Sequence, residues 1–206
     1  MVGPPGSIEG SSAFWERVYR EGGTSGTGSA GRLAEFKASV INGVIAERGV
    51  TSVIELGCGD GAQVSLIDYD SYVGLDVSQS ALAACRARFA DDPRKRFELY
   101  GPGLELPGAD LALSLDVIYH LLEDDVYVRY MSDLFASAGR YVLIYSSDSD
   151  RASAWDEVRH RPFSEWVARH QPHWRLTERV EQRYPYVEGD PDTSWSEFHL
   201  YERGPR

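Results

Sequence analysis

The stretch Glu55-Leu56-Gly57-Cys58-Gly59-Asp60-Gly61-Ala62 decides the fold class of this chain. It follows a short apolar segment, residues 52–56, and leads into residues 62–67, whose pattern predicts a helix. Three glycines at alternate positions allow a tight turn and let the backbone approach a ligand that a side chain would block. A strand, a glycine-rich turn and a helix in this order are typical of a nucleotide-binding α/β sheet.

Strand and helix patterns alternate along the rest of the chain. The predicted strands are residues 52–56, 72–75, 96–100, 110–115 and 140–145. The predicted helices are residues 31–48, 78–89 (capped by Ser78) and 123–137. Because this alternation requires crossover connections, it predicts a Rossmann-like, doubly wound α/β fold with a mostly parallel sheet.

The C-terminal part of the chain has a different pattern. Residues 162–170 predict a helix with Ser164 as its cap. Residues 174–183 and 196–201 alternate polar and apolar side chains, which predicts an antiparallel strand pair at one edge of the sheet.

The length of 206 residues fits one domain, which we place at residues 13–206. Residues 1–12 are rich in Gly, Pro and Ser and predict a disordered N-terminal segment. Residues 14–20 predict a short helix, and the glycine-rich residues 22–31 form either a linker or a lid over a ligand. The lid helix and loop would span about residues 13–48.

The composition excludes several classes of partner. The formal net charge is −11, and Lys37 and Lys95 are the only lysines, which argues against nucleic acid as a substrate. Cys58 and Cys85 do not make a disulfide framework, so we expect a cytoplasmic protein. The N-terminus lacks signal-peptide features, and no apolar run approaches the roughly 20 residues that span a bilayer, so no membrane partner is expected.

Asp76 lies 19 residues after Gly57, at the end of the second predicted strand. A carboxylate at that point can accept hydrogen bonds from both ribose hydroxyls of a nucleotide. The glycine turn also satisfies a dinucleotide-binding pattern, so the ligand could be a dinucleotide with a pyrophosphate or a nucleotide that carries positive charge. Glu55 and Asp60 would repel a pyrophosphate but suit a cationic ligand.

The pattern Glu55-x-Gly57-x-Gly59-x-Gly61 with Asp76 resembles motifs I and II of class I S-adenosylmethionine-dependent methyltransferases of the small bacterial type. S-adenosylmethionine carries a sulfonium and an ammonium, which suits the two acids. The resemblance covers about residues 14–145 and includes residues 110–121, which resemble the family's fourth strand and the segment after it. It implies a cofactor site formed by Glu55, Gly57, Gly59, Gly61, Asp76, Val77, Leu115, Asp116 and Tyr19.

One segment departs from the family pattern. The family often has an acid after the third strand to hold the adenine amino group, and residues 99–103 contain none. Backbone groups or the Tyr100 ring would then recognise adenine.

Residues after the fourth and fifth predicted strands should face the transferred methyl group, because ligands bind beyond the carboxyl ends of parallel strands. The catalytic candidates there are Asp116, Tyr119, His120 and Asp148. His120 has an ordinary pKa near 6.5 and suits the role of general base, the alternative being a structural histidine bonded to backbone. Asp116 would touch the cofactor or orient a base.

Two further sets of residues are candidates for binding the methyl acceptor or a metal ion. Arg159, His160 and Arg161 predict a contact with an oxygen-rich or anionic acceptor, or else salt bridges to nearby acids. His120, Asp148 and Asp150 could hold a divalent cation such as Mg²⁺, although their spacing is not diagnostic.

In length and general plan the chain loosely resembles saccharide O-methyltransferases of actinobacteria. That resemblance implies O-methylation of a saccharide or another polar small metabolite. N-methylation, carboxyl methylation and a non-catalytic cofactor-binding protein stay open as alternatives, since fold does not fix function. The expected partner is a small-molecule or saccharide acceptor, and a homodimer is an open alternative to a monomer.

Overall fold

Seven strands form one sheet in the computed structural model, which describes residues 10–205. In chain order they are β1 Val53–Leu56, β2 Tyr72–Asp76, β3 Lys95–Leu99, β4 Ala109–Leu115, β5 Ala138–Ser146, β6 Trp174–Val180 and β7 Glu197–Arg203. The spatial order is β3-β2-β1-β4-β5-β7-β6. The first five strands are parallel, and β7 runs antiparallel to both β5 and β6. The predicted fold class, including the antiparallel C-terminal pair, is confirmed.

Helices cover both faces of the sheet. They are α1 Ser11–Arg20, α2 Gly31–Arg48, α3 Gln79–Arg88, α4 Asp124–Ser137 and α5 Phe163–His170. The alternation of side chains along each strand divides the core in two. Leu111 and Leu113 of β4 pack in the cluster that contains residues of α2 and α3, whereas Ala112 packs in the cluster that contains residues of α4 and α5. No helix in residues 10–205 is both long and apolar enough to cross a membrane.

The sheet reverses its winding direction between β1 and β4. The chain passes from β1 outward to β3 and then crosses back to place β4 beside β1. In open α/β sheets, ligands bind in the crevice at such a switch point, beyond the carboxyl ends of the strands. The topology therefore fixes where a site should be.

The prediction of a helix at residues 62–67 is wrong. Only a single 3₁₀ turn, Val64–Leu66, follows the glycine turn, and Ile67 is already extended with φ −127° and ψ 134°. There is consequently no α-helix N-terminus at the turn to receive a pyrophosphate, which removes the main support for a dinucleotide site.

The N-terminal helix begins earlier than predicted. Ser11 and Ser12 belong to α1 and not to a disordered segment, while residues 1–9 of that predicted segment lie outside the described residues. The Ser11 N–H donates to Oε1 of Glu123 at 2.9 Å, and its hydroxyl donates to the other carboxylate oxygen. Because Glu123 immediately precedes α4, this contact ties the start of α1 to the start of α4.

The two predicted helix caps have different outcomes. Ser78 caps α3, since its hydroxyl accepts the Ala81 N–H at 3.0 Å, as predicted. Ser164 does not cap α5, which begins one residue earlier. The Ser164 N–H instead donates to Oδ1 of Asp148 at 3.0 Å, so a distant carboxylate satisfies this helix end.

A substitution in the glycine turn would test how tightly the turn packs against its neighbours. Gly61 has φ +75°, and a Cβ there would lie 2.9 Å from a Phe89 ring carbon and 3.0 Å from Sγ of Cys85. We expect Gly61→Ala to lower the free energy of unfolding by roughly 2–4 kcal/mol, through left-handed strain and overpacking. Urea denaturation measures this.

Gly43→Ala is the matched control. Gly43 lies inside α2, and no atom would lie within 4 Å of a Cβ added there, so the change should stabilise the protein by roughly 0.5–1 kcal/mol. Equal stabilities of the wild type and Gly61→Ala would contradict the packing described for the turn.

Candidate active site

A cavity of about 410 Å³ lies at the carboxyl ends of β1, β2 and β4, with α1 and the loop after it on one side. We call it the main cavity. Its volume falls within the roughly 300–1,000 Å³ that is usual for ligand sites. The predicted site residues that line it are Tyr19, Glu55, Gly57, Gly59, Asp76, Val77, Leu115, Asp116, Tyr119 and His120.

Asp76 and the glycine turn form one wall of the main cavity. The Gly59 N–H donates to Oδ2 of Asp76 and the Ser78 N–H donates to Oδ1, both at 2.9 Å. Each oxygen retains lone-pair capacity for a ligand donor. Burial raises the pKa of Asp76 to about 6, against the lowering effect of these backbone donors. The arrangement suits two neighbouring hydroxyls.

The glycines keep space free beside this carboxylate. Gly57 and Gly59 have φ of 88° and 55°, a region that disfavours other residues. A Cβ on Gly59 would come within 2.8 Å of the Tyr19 hydroxyl and collide with Oγ of Ser25, and one on Gly57 would collide with Val117. Any larger side chain at Gly57 or Gly59 would fill this space. We call the turn formed by these two glycines the cradle.

Glu55 lies in β1, one residue before the end of the strand, and is almost completely buried. Burial raises its pKa to about 7, although the Tyr72 hydroxyl donates to Oε2 at 2.5 Å and Lys37 lies near enough to oppose the shift. Its negative charge near neutral pH is thus incomplete. A cationic ligand in the main cavity would favour the ionised form.

Asp116 directly follows β4 and has φ +59°, making it the one non-glycine residue in the described chain with a left-handed backbone. Its side chain is held at several points. The fully buried Nζ of Lys37 donates to Oδ2 at 2.7 Å, and the Tyr119 hydroxyl donates to Oδ1 at 2.8 Å. The Ser196 hydroxyl also donates to Oδ1, at 3.3 Å. Strained residues that their surroundings hold in this way cluster at functional sites.

Lys37 is a residue of the site that the sequence motifs do not reveal. It lies in α2 between Phe36 and Ala38, both of which are buried. The sequence did contain one indication of its role. Lys37 lies on the buried side of an amphipathic helix, in a chain with only two lysines. A buried cation requires a paired anion, but the sequence does not say which acid supplies it.

His120 is held in one tautomer. Its Nδ1 lies 2.9 Å from the backbone carbonyl oxygen of Glu157. Since a carbonyl oxygen only accepts, Nδ1 carries the proton, and Nε2 of the neutral ring is free to accept one. Burial lowers the pKa of His120 below its ordinary value. The rings of Trp15 and Tyr119 lie with centroids 4.8 and 4.5 Å from that of His120.

Some predicted site residues lie elsewhere. Gly61 packs against α3 and does not line the main cavity, and Asp148 binds the start of α5. Asp150, Arg159, His160 and Arg161 line a second cavity. His120, Asp148 and Asp150 therefore do not come together, and residues 10–205 contain no group of three or more His, Cys, Asp or Glu that could hold a metal ion. The predicted Mg²⁺ ligand set is wrong.

Comparison with known proteins agrees with the geometry. Residues 54–141 match the family model described as a methyltransferase domain. No curated protein sequence matches the chain. Residues 54–141 therefore carry a methyltransferase domain, and the chain has the class I methyltransferase fold.

Solved methyltransferase structures share the fold of this chain at low sequence identity. The N-methyltransferase NodS from Bradyrhizobium japonicum, bound to S-adenosylhomocysteine, has a TM-score of 0.71 at 13% identity and covers 95% of this chain and 99% of its own. Magnesium protoporphyrin IX methyltransferase from Synechocystis, bound to S-adenosylmethionine, has a TM-score of 0.66 at 14% identity over 97% and 100%. The bacterial CtHen1-C methyltransferase domain has a TM-score of 0.63 at 20% identity over 82% and 97%.

The N-terminal part of the chain lies over the glycine turn and is held there by polar contacts. The Ser25 hydroxyl donates to Oδ1 of Asp60 at 2.9 Å and lies 3.1 Å from the Tyr19 hydroxyl. Oε1 and Oε2 of Glu16 accept hydrogen bonds from the hydroxyls of Ser80 and Ser78, respectively, at 2.7 Å. The expectation that Asp60 attracts a cationic ligand directly is not met, because Asp60 holds the loop and does not line the main cavity.

Asp76 should make cofactor binding depend on pH. Ribose hydroxyls donate more strongly to a carboxylate than to a carboxylic acid, and Asp76 has a pKa of about 6. We expect the affinity for S-adenosylhomocysteine to fall as the pH drops below about 6. Asp76→Asn should weaken binding at pH 7 by roughly 1–3 kcal/mol and reduce the pH dependence.

Calorimetry from pH 5 to pH 8 measures both effects. Asp70→Asn, which removes an exposed acid between β1 and β2, is the control and should bind as the wild type does. Unchanged affinity in a folded Asp76→Asn protein would remove Asp76 from the cofactor site.

Residues 22–31 are expected to act as a lid. S-adenosylhomocysteine should slow amide hydrogen exchange in this loop and in α1, because a ligand in the main cavity favours the closed arrangement. Ser25→Ala, which removes the bond to Asp60, should partly restore the exchange. Equal exchange with and without ligand would reduce the loop to a linker.

Proposed function

We propose that this methyltransferase transfers a methyl group from S-adenosylmethionine to a hydroxyl of a small polar acceptor, a saccharide or a similar metabolite. The observation that carries the proposal is the His120 tautomer, with Nδ1 bonded to a carbonyl and a neutral Nε2 left to accept a proton. Asp116 and Tyr119 lie beside it at the carboxyl end of β4.

When bound, S-adenosylmethionine supplies an electrophilic methyl group on its sulfonium. The bond from the acceptor oxygen to the methyl carbon forms as the sulfur–methyl bond breaks, and the hydroxyl proton passes to Nε2 of His120. Asp76 and the glycine cradle would hold the ribose. The Tyr100 ring, whose hydroxyl donates to Asp133 at 2.6 Å, lines the main cavity and is our candidate for contacting adenine.

Size and polarity support a small acceptor. The main cavity of about 410 Å³ must also hold the cofactor, which leaves limited room at the reacting end. Flat rings from Trp15, Tyr19 and Tyr119 line it, and such rings suit the apolar faces of sugars. These features support a saccharide-like acceptor over a polymer.

N-methylation is the second candidate. Glu55, Asp76, Asp116 and Glu157 line the main cavity, whereas no Arg or Lys within residues 10–205 does so. Such a wall attracts an amine. The same charge disfavours carboxyl methylation, because a carboxylate acceptor would be repelled.

The two free cysteines support the cytoplasm as the proposed compartment.

His120→Ala should separate catalysis from cofactor binding. Loss of a positioned base typically lowers the rate by about 10²–10⁴-fold, and the affinity for S-adenosylhomocysteine should stay unchanged. The wild-type rate should fall on the acid side, with a midpoint below the ordinary histidine value of about 6.5, because burial favours the neutral ring. His173→Ala, which alters an exposed histidine, is the control.

The assay measures S-adenosylhomocysteine formation with panels of sugars, amines and carboxylic acids. Turnover of hydroxylated acceptors supports the proposal, and turnover of amines alone would replace it with N-methylation. A protein that binds S-adenosylhomocysteine but turns over no acceptor would favour a non-catalytic role. A fully active His120→Ala protein would remove His120 from the mechanism.

A further inference from the structure

A second cavity of about 500 Å³ lies next to the main cavity. We call it the arginine cavity because its lining is rich in basic side chains. These are Arg151, Arg159, His160, Arg161 and Arg169. Such a concentration of guanidinium groups is unexpected in a chain with a net charge of −11.

The arginines outnumber the carboxylates that reach them. Asp124 is shared, since Oδ1 lies 2.9 Å from NH1 of Arg159 and 2.8 Å from NH1 of Arg161. Glu165 pairs with Arg169 at 2.6 Å. Asp150 is the one acid that lines the cavity itself. These pairs neutralise part of the charge and leave an excess of positive charge.

Arg151 is the least neutralised of the group. Its guanidinium lies 3.4 Å from the centroid of the Trp195 ring, and it makes no ion pair with another residue in the described chain. The positive charge of Arg151 helps to lower the pKa of His160, after the larger effect of burial. Arg151 and His160 therefore lie close enough to act on the same ligand.

Arg161 has a structural task. Its guanidinium donates to the carbonyl oxygens of Leu121 and Leu122, and the side chain is 10% exposed. Its predicted role in direct substrate binding is therefore not supported by its contacts. Arg151, Arg159 and Arg169 are exposed. Arg159 and Arg169 each pair with one surface carboxylate, so a ligand would reach Arg151 first and would compete with Asp124 and Glu165 for the other two.

Residues 157–160 connect the two cavities. Glu157 lines the main cavity and binds His120 through its carbonyl, while Arg159 and His160 line the arginine cavity. The Arg159 N–H donates to the carbonyl oxygen of Tyr119 at 2.7 Å. The rings of Tyr119 and His160 have centroids 6.2 Å apart.

We propose that the arginine cavity binds an oxyanion group, a phosphate or a carboxylate, on the acceptor whose hydroxyl lies beside His120. This rests on the proposed function and extends it, because it gives the acceptor a neutral reacting end and an anionic distal end. Guanidinium groups bind both oxyanions through paired, charge-assisted hydrogen bonds. Neither cavity alone would select such a molecule.

The first test does not depend on turnover. Binding of inorganic phosphate and of acetate is measured by calorimetry and by NMR shifts of arginine side chains. The variants are Arg151→Gln, Arg169→Gln and their combination, with Arg175→Gln on the exposed face of β6 as the control. We expect the double variant to weaken phosphate binding about tenfold or more, with Arg175→Gln unchanged.

The outcomes distinguish the sources of the anion. Binding of phosphate but not acetate indicates a phosphorylated acceptor, and binding of acetate at comparable strength indicates a carboxylated one. Equal phosphate binding by the wild type, the double variant and the control would overturn the proposal, as would no binding by the wild type.

The second test uses matched pairs of neutral and phosphorylated sugars. Arg151→Gln should raise KM for the phosphorylated acceptor about tenfold while kcat stays within about twofold, because Arg151 binds the distal group and not the reacting atoms. Affinity for S-adenosylhomocysteine and KM for neutral sugars should not change.

Failure of this proposal and failure of the proposed function look different. If neutral sugars are turned over and Arg151→Gln changes nothing, the arginine cavity is not part of the acceptor site, and the proposed function stands. If phosphate binds in the arginine cavity but no acceptor is turned over, the anion site stands, and the assignment of its ligand as a methyl acceptor is wrong.

Discussion

The buried ion pair between Lys37 and Asp116 is the interaction on which the geometry of the acceptor side depends. It joins α2, from one helical layer, to the end of β4 at the switch point of the sheet. Nζ of Lys37 has no exposure, so separating the two charges would leave a buried cation without a partner. That cost holds Asp116 in its left-handed conformation, and Oδ1 of Asp116 in turn holds Tyr119, which packs against His120.

Charge is divided between two neighbouring cavities. The main cavity is lined by carboxylates, which matches a cationic cofactor, while the arginine cavity collects guanidinium groups beyond Tyr119 and His120. Guanidinium groups gathered in one cavity repel one another unless carboxylates lie among them. Asp124 balances part of this positive charge by serving two arginines. In the proposed acceptor site, this division of charge would orient an acceptor that carries charge at one end only.

Local patterns in the sequence predicted the backbone plan, whereas side-chain partners that are distant in sequence were not predictable. The glycine turn and the alternating apolar segments depend on the conformation of neighbouring residues, so they predicted the strands correctly. The predicted helix at residues 62–67 was wrong because the local pattern does not distinguish an α-helix from the single 3₁₀ turn that forms there. His120 was placed correctly beside the cavity, but the Glu157 carbonyl that fixes its tautomer has no motif. The partners of Lys37 and Asp60 were not predicted, because only the fold brings these residues near them.

The N-terminal segment is attached in a way that would let it act as a lid. Glu16, Ser25 and Glu123 attach the N-terminal segment to α3, the glycine turn and α4 through hydrogen bonds at its surface. Apart from Ser11, no residue of α1 is buried, so its opening exposes little hydrophobic core. A segment with few buried apolar contacts belongs to the low-stability end of a structure and can open without global unfolding. If the segment opens as proposed, the sheet and the Lys37–Asp116 pair would keep Asp116 and Tyr119 in place.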